Sequence, residues 1–242
     1  MLELNAVIFD MDGLMIDTEP VGKMLVKTSH ERFGYEITED MFYHLIGTNE
    51  KTSKAYYHSV FGEDYPYQKI KDYRDQLRKE YFNSHPEMKL IIAPHVIDEN
   101  HLVEIIGKLK RPSVRYTRAD EKNVRKADCL IIDCFGLLSS IYRYGEIAYI
   151  GGGFGVGIHN TLEAAVYGIP VIFGPKYQKF MEAMQLIEAG GAYSIKDYNE
   201  LKILLDRLLT DEAFLKKTGT NAGNYVIGNS GATEKVLHMI NF

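Results

Sequence analysis

Short apolar runs alternate with longer amphipathic stretches along most of the chain. The runs are rich in Ile, Val, Phe and Tyr and end in turn residues, a pattern typical of strands buried on both faces of a parallel sheet. They predict strands at Leu4–Phe9, Lys89–Ala93, Cys129–Ile132, Ile147–Ile150, Val171–Phe173 and Ala192–Ile195. Because helical patterns separate these runs, we predict an α/β fold with a doubly wound, Rossmann-like parallel sheet.

The region between the first two predicted strands is helical by pattern. Its apolar positions Val21, Met24 and Leu25 share a helix face, and Thr38 is placed to cap the next helix. The pattern predicts helices at Glu19–Phe33, Lys51–Phe61, Tyr67–Phe82, Glu99–Lys110, Thr161–Tyr167, Phe180–Glu188, Tyr198–Leu209 and Ala232–Ile240, with a Gly/Asn turn region from Asn221. We therefore predict an N-terminal strand with a helical cap-like subdomain, residues 1–85, and a sheet domain, residues 86–242.

Composition narrows the class of protein. Of the 242 residues, 45% are hydrophobic and 25% charged, as in ordinary globular proteins. The net charge of −5 argues against a nucleic-acid partner, which favours a basic face. Cys129 and Cys134 lack metal-ligand spacing and suggest a reducing compartment. No signal peptide pattern opens the chain and no apolar run approaches the roughly 20 residues that span a bilayer, so we expect a cytoplasmic protein.

Two carboxylates follow the first predicted strand, in the run Asp10-Met-Asp12-Gly13. Like charges this close repel unless a cation or a proton lies between them. The pair indicates either a Mg²⁺ site with an aspartate nucleophile for phosphoryl transfer, or a plain turn, since Asp and Gly favour turns. The residues alone leave both interpretations open.

Residues 7–20, Val-Ile-Phe-Asp-Met-Asp-Gly-Leu-Met-Ile-Asp-Thr-Glu-Pro, resemble the opening motif of the haloacid-dehalogenase-like phosphatases, and of their β-phosphoglucomutase-like branch in particular. The resemblance implies that Asp10 is the nucleophile, that Asp12 is the general acid/base, and that Asp10 and the carbonyl of Asp12 hold Mg²⁺. It also implies that the helical region is a cap, with Ile46-Gly47 at a cap-loop position.

The phosphatase pattern stops after residue 88. Ile91-Ile-Ala-Pro-His95 stands where the family has a strand ending in Ser or Thr, and Asp128 and Asp133 do not form the family's adjacent acidic pair. Without these groups the nucleophile and the metal lose most of their electrostatic support. We therefore expect phosphatase activity to be incomplete.

A glycine-rich loop, Gly151-Gly-Gly-Phe-Gly-Val-Gly-Ile-His159, follows another predicted strand and leads into Asn160-Thr-Leu-Glu163. Glycine allows a close backbone approach and positive φ, and the first amides of a helix favour an anion, so the loop predicts a phosphate site. Asn160 and Glu163 either contact ribose or phosphate, or form a capping box. His159 either contacts the ligand or packs as a neutral residue.

Other turn residues follow the ends of the remaining strands. They are Pro94-His95, Asp133-Cys-Phe-Gly136 and Gly174-Pro175. Ligands of open parallel sheets bind beyond the carboxyl ends of the strands, so we expect these residues to join the glycine loop at one edge of the sheet.

Residues from about 81 to 242 resemble the C-terminal part of the 3-deoxy-D-manno-octulosonic acid (Kdo) transferases. The motifs are Ala93-Pro-His95, Asp133-Cys-Phe-Gly-Leu-Leu138, Tyr149-Ile-Gly-Gly-Gly153, His159-Asn-Thr-Leu-Glu163, Gly168-Ile-Pro-Val171, and Phe173-Gly-Pro175 followed by Phe180-x-Glu182. The resemblance implies a glycosyltransferase B fold that binds CMP or a CMP-sugar. It also implies transfer of the sugar to a lipid A precursor in lipopolysaccharide biosynthesis, without a cofactor, and peripheral membrane contact in the parent family.

The nucleotide-binding residues that this resemblance implies lie in four of these motifs. They are Pro94, His95, Phe135, Gly136, Leu137, Gly152, Gly153, His159, Asn160, Thr161, Leu162 and Glu163.

The resemblance does not extend to the acceptor-binding domain or to the first strand of the C-terminal domain, so we expect sugar transfer to be incomplete. That first strand is central in a doubly wound sheet, and its loss would leave two strand edges unpaired. Leu4–Phe9 has a similar length and apolarity. We predict that it fills the central place between Lys89–Ala93 and Ile147–Ile150, which brings Asp10 and Asp12 to the edge that carries the glycine loop.

Overall fold

A single sheet organises the described part of the chain. The structure, a computed structural model, describes residues 6–11, 20–45, 50–73, 85–109, 111–153, 157–196 and 198–240. Within these ranges seven strands form one sheet in the order β3-β4-β2-β1-β5-β6-β7, and every neighbouring pair is parallel. The strands are β1 Ala6–Met11, β2 Lys89–Pro94, β3 Ser113–Arg115, β4 Cys129–Ile131, β5 Ile147–Tyr149, β6 Val171–Phe173 and β7 Ala192–Ser194. The predicted doubly wound α/β fold is confirmed.

Helices fill the connections between the strands. They span Pro20–Arg32, Glu39–His44, Glu50–Phe61, Glu99–Lys108, Glu121–Val124, Leu138–Ile141, Leu162–Ala165, Met181–Glu188, Tyr198–Thr210, Glu212–Gly228 and Ala232–Ile240, and residues 67–73 are also helical. The Thr38 hydroxyl accepts a hydrogen bond from the Met41 amide at 3.3 Å, which confirms the predicted cap. In the described ranges no helix is long and apolar enough to cross a membrane.

Strand β1 lies at the centre of the sheet. Ala6 pairs with Lys89 on one side and Val7 with Ile147 on the other. This confirms that the N-terminal apolar run fills the central place. The division of the chain at residue 85 stays a prediction, but the strand of the first unit is part of the sheet of the second.

The two faces of β1 belong to two apolar cores, because successive side chains of a strand point to opposite faces. Val7 and Phe9 pack in one core, which helices Glu99–Lys108 and Tyr198–Thr210 cover. Ala6 and Ile8 pack in the other, beneath the helices that begin at Leu138, Leu162 and Met181. β1 is therefore buried on both faces and along both edges.

The largest differences from the sequence predictions concern a turn region and an edge strand; the short helices Glu121–Val124 and Leu138–Ile141 were also not predicted. The turn region expected from Asn221 is wrong for most of its length, because helix Glu212–Gly228 continues through it. Its glycines serve close packing: a Cβ on Gly219 would lie 2.2 Å from the Gly168 carbonyl oxygen. The edge strand Ser113–Arg115 was not predicted, since three residues of mixed polarity give no periodic signal.

An ionic cluster stabilises the amino-terminal ends of the strands, on the side of the sheet opposite to the glycine loop. Asp128 accepts hydrogen bonds from the Lys89 ammonium and, at 3.2 Å, from Nε of Arg111. The Arg111 guanidinium also donates to the carbonyls of His85 and Met88, at 3.0 and 2.9 Å. Asp128, directly before β4, thus links the start of β2 to the segment that precedes β3.

Replacing Asp128 by asparagine should lower the free energy of unfolding at neutral pH by about 2 kcal/mol, because hydrogen bonds between charged groups are lost. Burial alone would raise the pKa of Asp128, but the hydrogen bonds from Lys89 and Arg111 outweigh it and lower the pKa below its ordinary value. The contribution is therefore complete above the unfolded-state pKa of about 3.9 and is lost as the pH falls through the lower folded pKa. Urea unfolding of both proteins should show a difference that shrinks in acid. A difference independent of pH would contradict this account.

Candidate functional site

The carboxyl ends of the strands bring the predicted site residues together. Asp10 pairs with Ala93 and Met11 with Pro94 in the ladder between β1 and β2, so His95 follows directly after the last pair of this ladder. The rings of His95 and His159 lie 5.9 Å apart between centroids. The glycine loop after β5 reaches the end of β6, where Gly153 lies against Gly174. One edge of the sheet therefore carries the end of β1, the turn after β2 and the glycine loop.

The glycine loop is closed by its own backbone. The Gly153 amide donates to the Gly157 carbonyl at 2.6 Å, and the Lys176 amide donates to the Gly153 carbonyl at 2.7 Å. Gly152 and Gly153 have φ of 84° and 83°, which other residues rarely adopt. A Cβ on Gly152 would lie 2.0 Å from the Gly157 oxygen, and one on Gly153 would lie 2.8 Å from the Gly174 Cα. Both positions thus require glycine.

The helix after the loop is a single turn, Leu162–Ala165, and is shorter than the predicted Thr161–Tyr167. The Asn160 side chain accepts a hydrogen bond from the Leu162 amide at 3.0 Å and donates one to Glu163 Oε1 at 3.1 Å. The N-cap position is Thr161, whose side chain makes no capping hydrogen bond, so the capping box predicted from Asn160 and Glu163 is not formed. Asn160 instead satisfies the first amide of the helix from one residue before the cap and pairs with Glu163. Asn160 is exposed and Glu163 half-buried, so a ligand at this edge can reach both side chains. Their contact with a nucleotide stays a prediction.

Thr161 and Tyr149 each carry a buried hydroxyl near the loop. Neither oxygen has a hydrogen-bond partner among the described residues. Thr161 is fully buried, so it supports the loop from below and does not offer its side chain to a ligand.

Asp10 and His159 form a polar pair under the loop. Asp10 Oδ2 lies 3.2 Å from His159 Nδ1, with the carboxylate side chain 6% and the imidazole 31% exposed. A carboxylate only accepts hydrogen bonds, so the imidazole tautomer that satisfies this contact carries its proton on Nδ1. Burial, and then the charge of Asp10, raises the pKa of Tyr142 and of Tyr149 far above the ordinary value, so both hydroxyls stay protonated. The sequence offered no signal for Tyr142 at this site.

The residues after β4 flank the site more loosely. Phe135 is 81% exposed, and Gly136 has φ of 86° with open space where a Cβ would point. Leu137 packs against the sheet. Asp133 accepts hydrogen bonds from the Thr117 amide at 2.9 Å and from its hydroxyl at 2.5 Å. Burial would raise the pKa of Asp133, but these bonds lower it, so Asp133 anchors the chain after β3.

The described residues do not show the Mg²⁺ site that the phosphatase resemblance implies. Asp12 lies outside the described residues, as does Ile46-Gly47. Over the ranges that the structure describes, there is no group of three or more His, Cys, Asp or Glu that could hold a metal ion. Asp10 itself contacts the His159 imidazole. Oxygen ligands, which Mg²⁺ prefers, are therefore not gathered around Asp10 by these residues.

Comparisons with known proteins confirm both resemblances. The model of the haloacid dehalogenase-like hydrolase family matches residues 7–116. The 3-deoxy-D-manno-octulosonic acid transferase of Aquifex aeolicus is 32% identical over 140 residues, which are 57% of this chain and 38% of the relative. A probable mitochondrial transferase of the same name from Arabidopsis thaliana is 32% identical over 141 residues, 55% of this chain and 31% of the relative. The chain thus spans about a third of the length of these relatives.

A solved structure shares the fold. The C-terminal CMP-Kdo binding domain of WaaA from Acinetobacter baumannii superimposes with a TM-score of 0.52 at 22% identity, over 60% of this chain and 77% of that one. The family match at 7–116 continues past residue 88, where the phosphatase pattern was expected to stop, and includes β2, helix Glu99–Lys108 and β3. Strands β2 and β3 therefore belong both to the segment that matches the hydrolase family and to the transferase-like segment.

Proposed function

We propose that this protein is a nucleotide-sugar-binding α/β domain of glycosyltransferase type, and that its ligand is CMP or a CMP-Kdo-like donor. The observation that carries the proposal is the closed glycine loop. Its two obligatory glycines belong to the loop that ends at His159, whose ring borders His95, and that leads into the pair Asn160 and Glu163. This edge is where open parallel sheets bind their ligands.

The chemistry of the edge suits a nucleotide. Asn160 and Glu163 supply an amide and a carboxylate, which can hydrogen-bond ribose hydroxyls. The exposed turn at Phe135 and Gly136 offers an aromatic face and open backbone to a base. Similarity to the Kdo transferases, and the likeness to a CMP-Kdo binding domain, support a cytidine nucleotide. Transfer of Kdo to a lipid A precursor, like the cytoplasmic location, remains a proposal for the whole protein.

Calorimetric titration with CMP tests the proposal. We expect CMP to bind without added Mg²⁺, because no metal-ligand group is present in the described ranges. Glu163→Ala should weaken binding about tenfold or more, as expected when a hydrogen bond to the ligand is lost. Glu188→Ala is the matched control, since Glu188 is exposed at the end of another helix. Equal CMP affinity in the Glu163 and Glu188 variants would contradict the proposed site.

A Mg²⁺-dependent phosphatase or phosphomutase is the second candidate, because the hydrolase family model matches residues 7–116 and Asp10 lies at the end of β1. It predicts hydrolysis of p-nitrophenyl phosphate that needs both Mg²⁺ and Asp10. The contact between Asp10 and His159 weighs against it, because a nucleophile needs an accessible oxygen. A protein that neither binds CMP nor hydrolyses the ester would be a non-catalytic scaffold.

A further inference from the structure

Asp10 and His159 lie 149 residues apart in the sequence and are in contact at the site. The backbone of Asp10 is fixed by its ladder position opposite Ala93 in the central strand. The backbone of His159 is fixed by a hydrogen bond of 3.1 Å from its amide to the Gly151 carbonyl. Neither residue can shift without moving the sheet or the glycine loop, so their contact is built into the fold.

The pair has a buried end and an accessible end. Asp10 is enclosed, with 6% of its side chain exposed, whereas 31% of the His159 side chain reaches the surface of the loop. A buried carboxylate is costly unless it is hydrogen-bonded, and His159 Nδ1 supplies such a bond at 3.2 Å. The accessible group of the pair is therefore the imidazole.

The contact also sets the orientation and the tautomer of the imidazole. With its proton on Nδ1 directed at Asp10, the neutral ring has Nε2 as its acceptor. The tilted ring of His95, 5.9 Å away, borders the imidazole of His159. The structure thus holds one histidine of the predicted nucleotide site in a single arrangement.

We propose that Asp10 is a positioning residue, which holds His159 in the orientation that the nucleotide meets, and that it is not a phosphoryl nucleophile. The inference rests on the proposed nucleotide site. It gives Asp10 a role different from that of the nucleophile, which the phosphatase-like motif of residues 7–20 implies. It also explains why the described surroundings of Asp10 contain an imidazole instead of metal-binding carboxylates.

The test compares Asp10→Ala, Asp10→Asn, His159→Ala and the double variant Asp10→Ala/His159→Ala. Nitrogen-15 NMR of histidine-labelled protein, assigned with His159→Ala, reports the tautomer without any ligand. We expect His159 to carry its proton on Nδ1 in the wild type and to become a tautomer mixture in Asp10→Ala. Asp10→Asn retains an acceptor oxygen and is close in shape, so it should restore the Nδ1 tautomer and keep the test usable if Asp10→Ala fails to fold.

CMP titration supplies the second readout. Asp10→Ala should weaken CMP binding about tenfold, and Asp10→Asn should recover most of that loss. When His159 is already alanine, Asp10→Ala should change the CMP affinity by roughly twofold or less. Tighter binding in both Asp10 variants would mean that the carboxylate only repels phosphate, and would overturn the inference. So would Mg²⁺-dependent hydrolysis of p-nitrophenyl phosphate that is lost in Asp10→Asn.

The two proposals fail in different ways. If the wild type does not bind CMP, the proposed function fails, while the NMR tautomer still reports whether Asp10 orients His159. If CMP binds and the Asp10 variants leave both the tautomer and the affinity unchanged, the proposed function stands and the positioning role is wrong.

Discussion

Phe9→Ala is expected to lower the free energy of unfolding by about 3–5 kcal/mol, the usual cost of deleting a buried phenyl ring. Phe9 is 1% exposed and stacks on Tyr149 with ring centroids 5.6 Å apart. Its strand is held by β2 on one side and β5 on the other, so the cavity has little freedom to collapse. Urea unfolding followed by circular dichroism measures the loss.

Phe135→Ala makes the same deletion where the ring is 81% exposed. It should change the free energy of unfolding by about 0.5 kcal/mol or less, as most surface substitutions do. If both variants lost the same small amount, the N-terminal strand would not lie in the core of the sheet. The comparison therefore tests the placement of β1 as well as the energy of one side chain.

Gly219→Ala is expected to destabilise the protein by about 3 kcal/mol, the upper part of the usual range for overpacking. The added Cβ would lie 2.2 Å from the Gly168 carbonyl oxygen, and backbone cannot yield as a flexible side chain does. Gly168 itself has φ of 68°, in a turn just before β6. Relief of the clash therefore requires helix Glu212–Gly228 to move away from the sheet.

Gly228→Ala is the matched control in the same helix, because among the described residues no atom outside its own helix and chain neighbours lies within 4 Å of the added Cβ. Alanine has the higher helix propensity, so this variant should be neutral or gain at most about 1 kcal/mol. Thermal unfolding of both variants measures the contrast. Equal stabilities would show that the helix does not pack as closely on Gly168 as the structure indicates.

Six of the seven described strands were predictable because each is a short apolar run bounded by turn residues, whereas β3 was not. The central place of β1 was predictable because a doubly wound sheet needs a middle strand. Leu4–Phe9 was an apolar run of suitable length that had no other place in the sheet. The long C-terminal helix was not predictable in the same way. Glycine has a low helix propensity, so the sequence around Gly219 and Gly223 does not favour a helix. The close packing of both glycines against Gly168 explains why they occur in this one.

The location of the candidate site at the carboxyl ends of the strands was predictable from the sequence. The carboxyl ends of parallel strands meet, so His95 and the glycine loop had to be neighbours. The hydrogen bond between Asp10 and His159 was not predictable, because it depends on the register of β1 against β2 and β5. A slip of one residue would direct Asp10 into the opposite core. The anchoring of Asp133 by Thr117 likewise depends on the edge strand that lacked a sequence signal.

The position of β1 also governs how the fold can be reached. Its partners begin at Lys89 and Ile147, so a ribosome releases the central strand long before either neighbour exists. Contacts so distant in sequence slow folding, and the sheet can close only after β5 has been made. The entropy of closing a long connection grows slowly, however, by about 0.6 kcal/mol for each doubling of its length. The helical region between β1 and β2 can therefore vary widely in size at little cost to stability, which makes this connection a natural place for one protein segment to be joined to another.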